Sequence, residues 1–209
     1  MFSDAETVMK ILKELYPDAG PELNFSNPYE TLVATILSAQ CTDKRVNMVT
    51  PALFRDYPDV ESMAGADPET IYGYVRSCGF KSKAVNIVNA CRQIRDKFGG
   101  QVPHTLEELT LLPGVGRKTA SVVLLAAFRI PAMPVDTHVF RVSNRIGLAE
   151  ASTVENTEKQ LRALLPEESW FFAHHALILH GRRVCHSQKP DCEACPLRDC
   201  CAYHKKQNI

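Results

Sequence analysis

The stretch Leu112-Pro-Gly-Val-Gly-Arg-Lys-Thr-Ala120 predicts two helices joined by a tight turn. Residues 107–111 have the pattern of a short helix that is ending, and residues 118–128 form a segment that is apolar on nearly every helical face. Gly114 and Gly116 permit positive φ angles and a close approach of the turn to another backbone. The positive end of the second helix favours a phosphate oxygen at this turn. The same turn residues are also compatible with a simple connection between two helices.

A second motif, Pro134-Val-Asp-Thr-His-Val-Phe-Arg-Val-Ser-Asn-Arg145, carries a single acid, Asp136. Asp136 stands just before an apolar helix, where an aspartate is a common N-cap. Alternatively, it is the carboxylate that assists an amine nucleophile, for which Lys118 is the candidate. Lys118 itself is also compatible with a solvated phosphate contact at a helix start.

Taken together, the two motifs resemble the endonuclease III family of helix-hairpin-helix DNA glycosylases over nearly the full length of the chain. The resemblance implies an all-α fold of two lobes, with six helices in residues 21–130 and a second lobe made of residues 1–20 plus 131–209. In this family the lysine of the hairpin is the nucleophile and the aspartate is its partner. These roles carry over to Lys118 and Asp136, one from each lobe, with DNA in the cleft where the lobes meet.

The hydrophobic pattern independently predicts an all-α fold, because no segment alternates with a period of two between turn signals. Residues 81–98 place apolar side chains on one helical stripe, and Gly99-Gly100 follows as a stop signal. Asn27-Pro28-Tyr29-Glu30 has the pattern of a helix start with a capping box. The sequence Ser152–Glu155 repeats that pattern.

Two further side chains are predicted to enter DNA when a base leaves the helix. Gln40, in Ser38-Ala-Gln-Cys-Thr-Asp43, matches a family glutamine with this role, although without the family it reads as an ordinary linker amide. Phe80 is the candidate wedge in the shorter loop 78–84. The remaining predicted DNA contacts come from the hairpin, the second motif and the cysteine-rich segment: Gly114, Val115, Gly116, Arg117, Thr119, His138 and Lys189.

Four cysteines, Cys185, Cys192, Cys195 and Cys201, lie within 17 residues and can converge only on a common centre. On residue types alone, a zinc ion and an iron–sulfur cluster both remain open. The spacing resembles the cluster loop of endonuclease III (residues 185–201), which implies a structural [4Fe-4S] cluster bound by these four cysteines. Cys200 is out of register and is predicted not to be a ligand. Cys41, Cys78 and Cys91 are interpreted as small core residues.

The 209-residue chain has 24 basic and 24 acidic residues and a formal net charge of zero, so the distribution of charge matters more than its sum. Residues 112–145 are rich in arginine, whereas residues 56–67 and 150–168 are acidic, which favours one positive face. The first residues do not resemble a secretion signal, and no apolar run is long enough to span a membrane. We therefore expect a monomeric cytoplasmic protein that binds damaged double-stranded DNA and no membrane.

The resemblance implies a bifunctional DNA glycosylase and AP lyase of base excision repair that removes oxidised pyrimidines and cleaves the strand 3′ of the abasic site. One alternative is a monofunctional mismatch glycosylase. Lys118 argues against it, because hydrolysis needs no amine. A second alternative is a DNA-binding module without catalytic activity.

Overall fold

The computed structural model describes residues 4–207, which contain α-helices and two short 3₁₀ turns, Arg76–Cys78 and Glu167–Ser169. The predicted all-α fold is confirmed for these residues. In chain order the helices are α1 (Ala5–Leu15), α2 (Pro28–Ser38), α3 (Asp43–Asp56), α4 (Val60–Ala64), α5 (Pro68–Val75), α6 (Lys81–Phe98), α7 (Leu106–Thr110), α8 (Arg117–Ala127), α9 (Thr137–Ile146), α10 (Val154–Leu164), α11 (Trp170–Arg183) and α12 (Ala202–Gln207).

The chain divides into two compact units. One is continuous, Pro21–Ile130, and the other combines Met1–Gly20 with Pro131–Ile209. The continuous unit contains α2 to α8, which is seven α-helices where the family resemblance implies six. The additional helix is α4, whose five residues are too few to show a helical period. A local capping box between Asp59 and Ser62 supports it.

The continuous unit is built around α2 and α6. Eight of the eleven residues of α2 are buried, from Tyr29 to Leu37. On α6, the predicted apolar stripe is buried, and Ile87, Val88 and Ile94 are fully inaccessible. Helix α8 packs on α2, while α4 and α5 pack on α6. The hairpin between α7 and α8 is therefore carried by a rigid apolar core.

The discontinuous unit packs α9 and α1 against α11, and the three helices share one apolar core. Val139, Val142 and Ile146 form the buried stripe of α9 and are almost completely inaccessible. The indole nitrogen of Trp170 donates to the carbonyl oxygen of Leu165 at 3.0 Å, so the bulky ring at the start of α11 is buried with its polar group satisfied.

Local start and stop signals predict most helix boundaries, with instructive differences. Gly99 ends α6 in a left-handed conformation, as the pattern indicates. Helix α10 is capped by Thr153 and not by Ser152, because the Thr153 hydroxyl accepts from the amide of Asn156. A capping box at the start of α2 would have the carboxylate of Glu30 accept from the amide of Asn27. In the structure it accepts instead from the amide of Ser26, the preceding residue.

Within residues 4–207, every helix is too short or too polar to cross a membrane. The prediction that the chain starts without a secretion signal depends in part on residues 1–3, which lie outside the described residues.

Candidate functional site

The turn of the hairpin is closed from within. The amide of Val115 donates to the carbonyl oxygen of Leu112 at 3.1 Å. Gly114 has a φ of +77°, and a Cβ placed there would lie 2.9 Å from Cβ of Asn86 on α6. The fold itself therefore requires glycine at position 114, for its backbone conformation and for the close approach of the turn to α6.

Gly116 differs from Gly114, although the sequence suggests the same role for both. Its φ of −87° and ψ of 175° are accessible to any residue. A Cβ at Gly116 would meet nothing within 4 Å. Gly116 also precedes α8 without a side-chain cap. The packing of the protein thus leaves open the space beside the N-terminus of α8, which is suited to a close approach by another backbone.

The first turn of α8 carries two exposed cations, Arg117 and Lys118, followed by the half-buried Thr119. Cations at the positive end of a helix are locally unfavourable, and a bound anion would offset this. Val115 differs from its neighbours because its side chain is only 5% exposed and its amide already donates within the turn. Neither its side chain nor its N–H group is therefore displayed for a ligand.

Asp136 caps α9. One carboxylate oxygen, Oδ1, accepts from the amides of His138 and Val139, both at 2.8 Å. The N-cap interpretation of Asp136 is confirmed, and the capping leaves the second carboxylate oxygen for other partners. Two hydrogen bonds from the backbone hold this half-buried side chain in one orientation, which is what a positioned catalytic carboxylate needs.

His138 lies on α9 beside the start of the cysteine-rich segment. Its Nδ1 is 3.1 Å from Nη2 of Arg141, and Arg141 donates to the carbonyl oxygens of Gly181 and Cys185. A Cβ at Gly181 would meet both side chains at 3.0 Å. Arg141 therefore fastens α9 to the end of α11 and holds His138 in place. From sequence alone, Arg141 is only one of several arginines between residues 112 and 145.

The four cysteines singled out by their spacing line one pocket in the discontinuous unit. Arg145 contacts two of them, since its Nη1 lies 3.6 Å from Sγ of Cys185 and its carbonyl oxygen accepts from the thiol of Cys201 at 3.4 Å. Nε2 of His180 lies 3.5 Å from Sγ of Cys195. The thiol of Cys200 instead donates to the carbonyl oxygen of Leu197 at 3.2 Å.

The electrostatics of this pocket fit a centre that binds thiolates. Burial raises the pKa of Cys195 to about 11, and the neighbouring Cys201, Cys185 and Cys192 add to the shift. Burial also raises the pKa of Cys192, with contributions from Cys201 and Cys185. Four thiolates so close together need compensating positive charge, which a metal centre provides. Among the described residues, no three or more His, Cys, Asp or Glu side chains lie close enough together to hold a single metal ion as they stand.

The loop between the first two cysteines is held by its backbone. Arg145 donates to the carbonyl oxygens of His186 at 2.5 Å and Ser187 at 2.9 Å. Lys189 is exposed and has a φ of +50°. The loop thus presents Lys189 from an ordered backbone within the discontinuous unit.

Gln40 and Phe80 lie in the continuous unit and point outward. Gln40 is exposed, with a φ of +54° in the turn after α2. Phe80 is 72% exposed and is the residue before α6. This exposure leaves the ring of Phe80 accessible to a partner, which the predicted wedge role requires.

The hairpin, the uncapped helix start and the cysteine pocket together define a helix-hairpin-helix protein. Residues 33–167 match the HhH-GPD superfamily of base excision DNA repair proteins. Endonuclease III from Synechocystis sp. is 49% identical over 94% of this chain and 91% of its own length. Endonuclease III from Escherichia coli (strain K12) is 42% identical over 97% of this chain and 96% of its own length.

Solved structures agree with the sequence relatives. The chain is similar to the endonuclease III in a trapped endonuclease III–DNA covalent intermediate, with a TM-score of 0.91 and 42% identity over 98% of this chain and 97% of that one. The chain therefore belongs to the endonuclease III family within the HhH-GPD superfamily. The predicted family resemblance is confirmed.

Proposed function

We propose that Lys118 and Asp136 carry out the reaction of this enzyme, a bifunctional DNA glycosylase and AP lyase of base excision repair. The observation that carries the proposal is the position of Lys118, exposed in the first turn of an uncapped helix and two residues after a glycine whose free side faces open space. Relatives that are 42–49% identical over nearly the whole chain are named endonuclease III.

Damaged double-stranded DNA is the proposed partner, bound by a protein monomer. The amides and side chains at the start of α8 would hold a phosphate, because N–H groups and cations there favour an anion. His138 and Lys189 would add contacts from the discontinuous unit. Such contacts are independent of base sequence, as a repair enzyme that searches for lesions requires.

A base inside the duplex is out of reach of any side chain, so the enzyme must first extrude it. Extrusion costs a few kcal/mol and is easiest for damaged bases. Gln40 and Phe80 are the proposed side chains that fill the resulting gap. We propose oxidised pyrimidines as the bases removed.

In the chemical step, the unprotonated amine of Lys118 attacks C1′ of the sugar and the damaged base departs with the electrons of the glycosidic bond. The negative charge of Asp136 stabilises positive charge that develops on the sugar and assists proton transfer. The bound nitrogen then loses a proton and its lone pair expels O4′ from C1′, so the sugar ring opens, O4′ becomes a hydroxyl and a lysine Schiff base forms. This Schiff base acidifies the C2′ proton. Loss of that proton and departure of the 3′ phosphate cleave the strand by β-elimination, and water then releases Lys118.

The cysteine pocket is the proposed site of a [4Fe-4S] cluster, bound by Cys185, Cys192, Cys195 and Cys201. When bound, the cluster supplies a structural cross-link, since removal of a base and β-elimination transfer no net electrons. We expect protein purified without oxygen to be yellow-brown and to contain about four irons per chain. Stoichiometric zinc without iron would overturn this assignment.

Borohydride trapping tests the role of Lys118 most directly. Reduction during turnover should convert the Schiff base into a stable covalent adduct between protein and DNA. Lys118→Ala should abolish the adduct and strand cleavage. Lys118→Gln should do the same, although its amide can still donate to a phosphate.

The result also separates the two alternatives. A monofunctional glycosylase would release bases without forming the adduct, and a DNA-binding module would do neither. If Lys118→Ala or Lys118→Gln still traps DNA near the rate of the parent protein, another amine is the nucleophile.

A further inference from the structure

Lys83, in the first turn of α6, uses its ammonium group to connect two other segments of the continuous unit. Its Nζ donates to the carbonyl oxygen of Leu37 at 2.8 Å and to that of Cys78 at 2.5 Å. Leu37 lies in the last turn of α2, and Cys78 ends the 3₁₀ turn before α6. Both carbonyls lie at helix ends, where the main-chain acceptors need a partner outside their own helix.

The electrostatics of this arrangement are specific to the tertiary structure. A cation in the first turn of α6 is unfavourable for that helix, because it lies at the positive end of the helix dipole. The same ammonium reaches the negative end of α2, where it is favourable. Lys83 is half-buried and its hydrogen bonds span 46 and 5 residues of sequence, so it acts as a cross-link and not as a solvated charge.

The two connected segments are those that carry Gln40 and Phe80. Gln40 follows Leu37 by three residues, and Phe80 follows Cys78 by two. Both segments have unusual backbones, since Gln40 has a φ of +54° and Gly79 a φ of +120°. A Cβ at Gly79 would lie 3.4 Å from Nζ of Lys83. Lys83 therefore binds the backbones of both segments on their protein side, while the side chains of Gln40 and Phe80 are exposed to solvent.

A second set of contacts joins the same segments. Sγ of Cys78 lies 3.9 Å from the carbonyl oxygen of Arg45 at the start of α3. The side chains of Cys41 and Cys78 also interact, and burial together with this interaction raises the pKa of Cys78 to about 11. Cys41, interpreted from sequence as a core residue, is half-buried and contributes to this junction. These contacts of Cys78 favour a fixed spacing between the segment that carries Gln40 and the segment that carries Phe80.

We propose that Lys83 is a positioning residue that holds the Gln40 and Phe80 segments at a fixed spacing, so that both side chains enter the DNA together when a base leaves it. The inference rests on the proposed function, in which these two side chains fill the gap. Its physical basis is preorganisation, because side chains already held in place lose less conformational freedom when they bind.

This role predicts which step depends on Lys83. Removal of a paired base requires extrusion, whereas an abasic site contains no base to extrude. Loss of Lys83 should therefore slow base removal more than β-elimination at a preformed abasic site. Damage to the whole fold would slow both reactions alike, so the ratio of the two rates is the informative measurement.

The experiment compares the full-length parent protein with Lys83→Met and Lys83→Gln. Methionine keeps the apolar stem and removes both hydrogen bonds. Glutamine is shorter and neutral, and its amide can donate a hydrogen bond to at most one of the two carbonyl oxygens. Lys97→Met, at the exposed far end of the same helix, removes the same charge as a control. Single-turnover rates are measured on a duplex with one oxidised pyrimidine and on a duplex with one abasic site.

We expect the ratio of base removal to strand cleavage to fall about tenfold in Lys83→Met, which is the loss that a charge-assisted hydrogen bond predicts. The ratio for Lys83→Gln should lie between that of Lys83→Met and that of the parent protein. The ratio for Lys97→Met should equal that of the parent protein. If Lys83→Met does not fold, Lys83→Gln decides in the same way. An unchanged ratio in a folded Lys83 variant would overturn the proposal.

The outcome is independent of whether Lys118 is the nucleophile. If the parent protein gives no borohydride adduct, the proposed function fails and the inference that rests on it fails with it. If the parent gives the adduct and the Lys83 variants keep the parent ratio, only the positioning role fails. A background with both Gln40→Ala and Phe80→Ala adds a further check, because Lys83→Met should change the ratio little once both positioned side chains are absent.

Discussion

The starts of α8 and α9 are built in opposite ways. Helix α8 follows Gly116 and has no side-chain cap, and its first turn carries Arg117 and Lys118. Helix α9 follows Asp136, whose carboxylate accepts from two of the first amides of the helix. Both starts have the same positive end of a helix dipole. One start leaves that end to a ligand, and the other satisfies it with a carboxylate of the protein.

These two constructions of a helix start suit the two motifs to different tasks. An uncapped start beside two cations is less stable on its own and more favourable once an anion is bound. A capped start is stable without a ligand and holds its carboxylate in a defined orientation. The proposed function accordingly assigns binding of the DNA backbone to the start that follows a glycine and support of charge in the reaction to the start that follows an aspartate.

The largest expected effect tests the capped start. Asp136→Asn should keep the cap, because asparagine accepts the same two amides, and should therefore melt near the parent temperature. Turnover should fall by about 10²–10³-fold, since the negative charge is lost. Thermal denaturation and single-turnover rates on lesion DNA measure the two effects.

Asp136→Ala is the control for this variant, because it also loses the cap. Its unfolding free energy should fall by about 1 kcal/mol. If Asp136→Asn unfolds, or if it keeps the parent turnover, the carboxylate is mainly structural and the catalytic assignment fails.

The next effect tests the uncapped start through its two glycines. Gly116→Ala should fold normally, because its backbone suits alanine and its Cβ would meet nothing. Its affinity for a duplex should nevertheless fall about tenfold, because a methyl group would stand where a phosphate approaches. Binding is measured by fluorescence anisotropy at fixed salt.

Gly114→Ala is the matched comparison and should lose stability. It combines a φ of +77° with a contact to Asn86, so the unfolding free energy should fall by roughly 1–3 kcal/mol. Equal duplex affinity of Gly116→Ala and the parent protein would show that the open side of Gly116 is not the phosphate site.

The smallest effect concerns the charge in the first turn of α8. Duplex affinity should decrease steeply with salt, because phosphate contacts release counterions. Arg117→Gln should weaken binding to all sequences alike and reduce the slope of log affinity against log salt by about one. A slope identical to that of the parent would remove Arg117 from the proposed interface.

Contiguous signals were enough to predict much of this molecule. The stop at Gly99, the cap at Asp136 and the stripe of α6 each depend on residues within one or two helical turns. Chain connectivity imposes such interactions, so a sequence pattern reveals them. The cysteine spacing belongs to the same class, because a 17-residue segment forces its four thiols toward one pocket.

Residue patterns alone therefore predict the all-helical class, most helix boundaries, the family and the candidate residues. Helix packing, by contrast, decides which of the two glycines the fold requires, because the contact of Gly114 with Asn86 spans 28 residues. It also decides that Lys83 joins α2 to the turn before α6. Contacts between distant segments depend on how the helices pack, and no local pattern of residues encodes that packing.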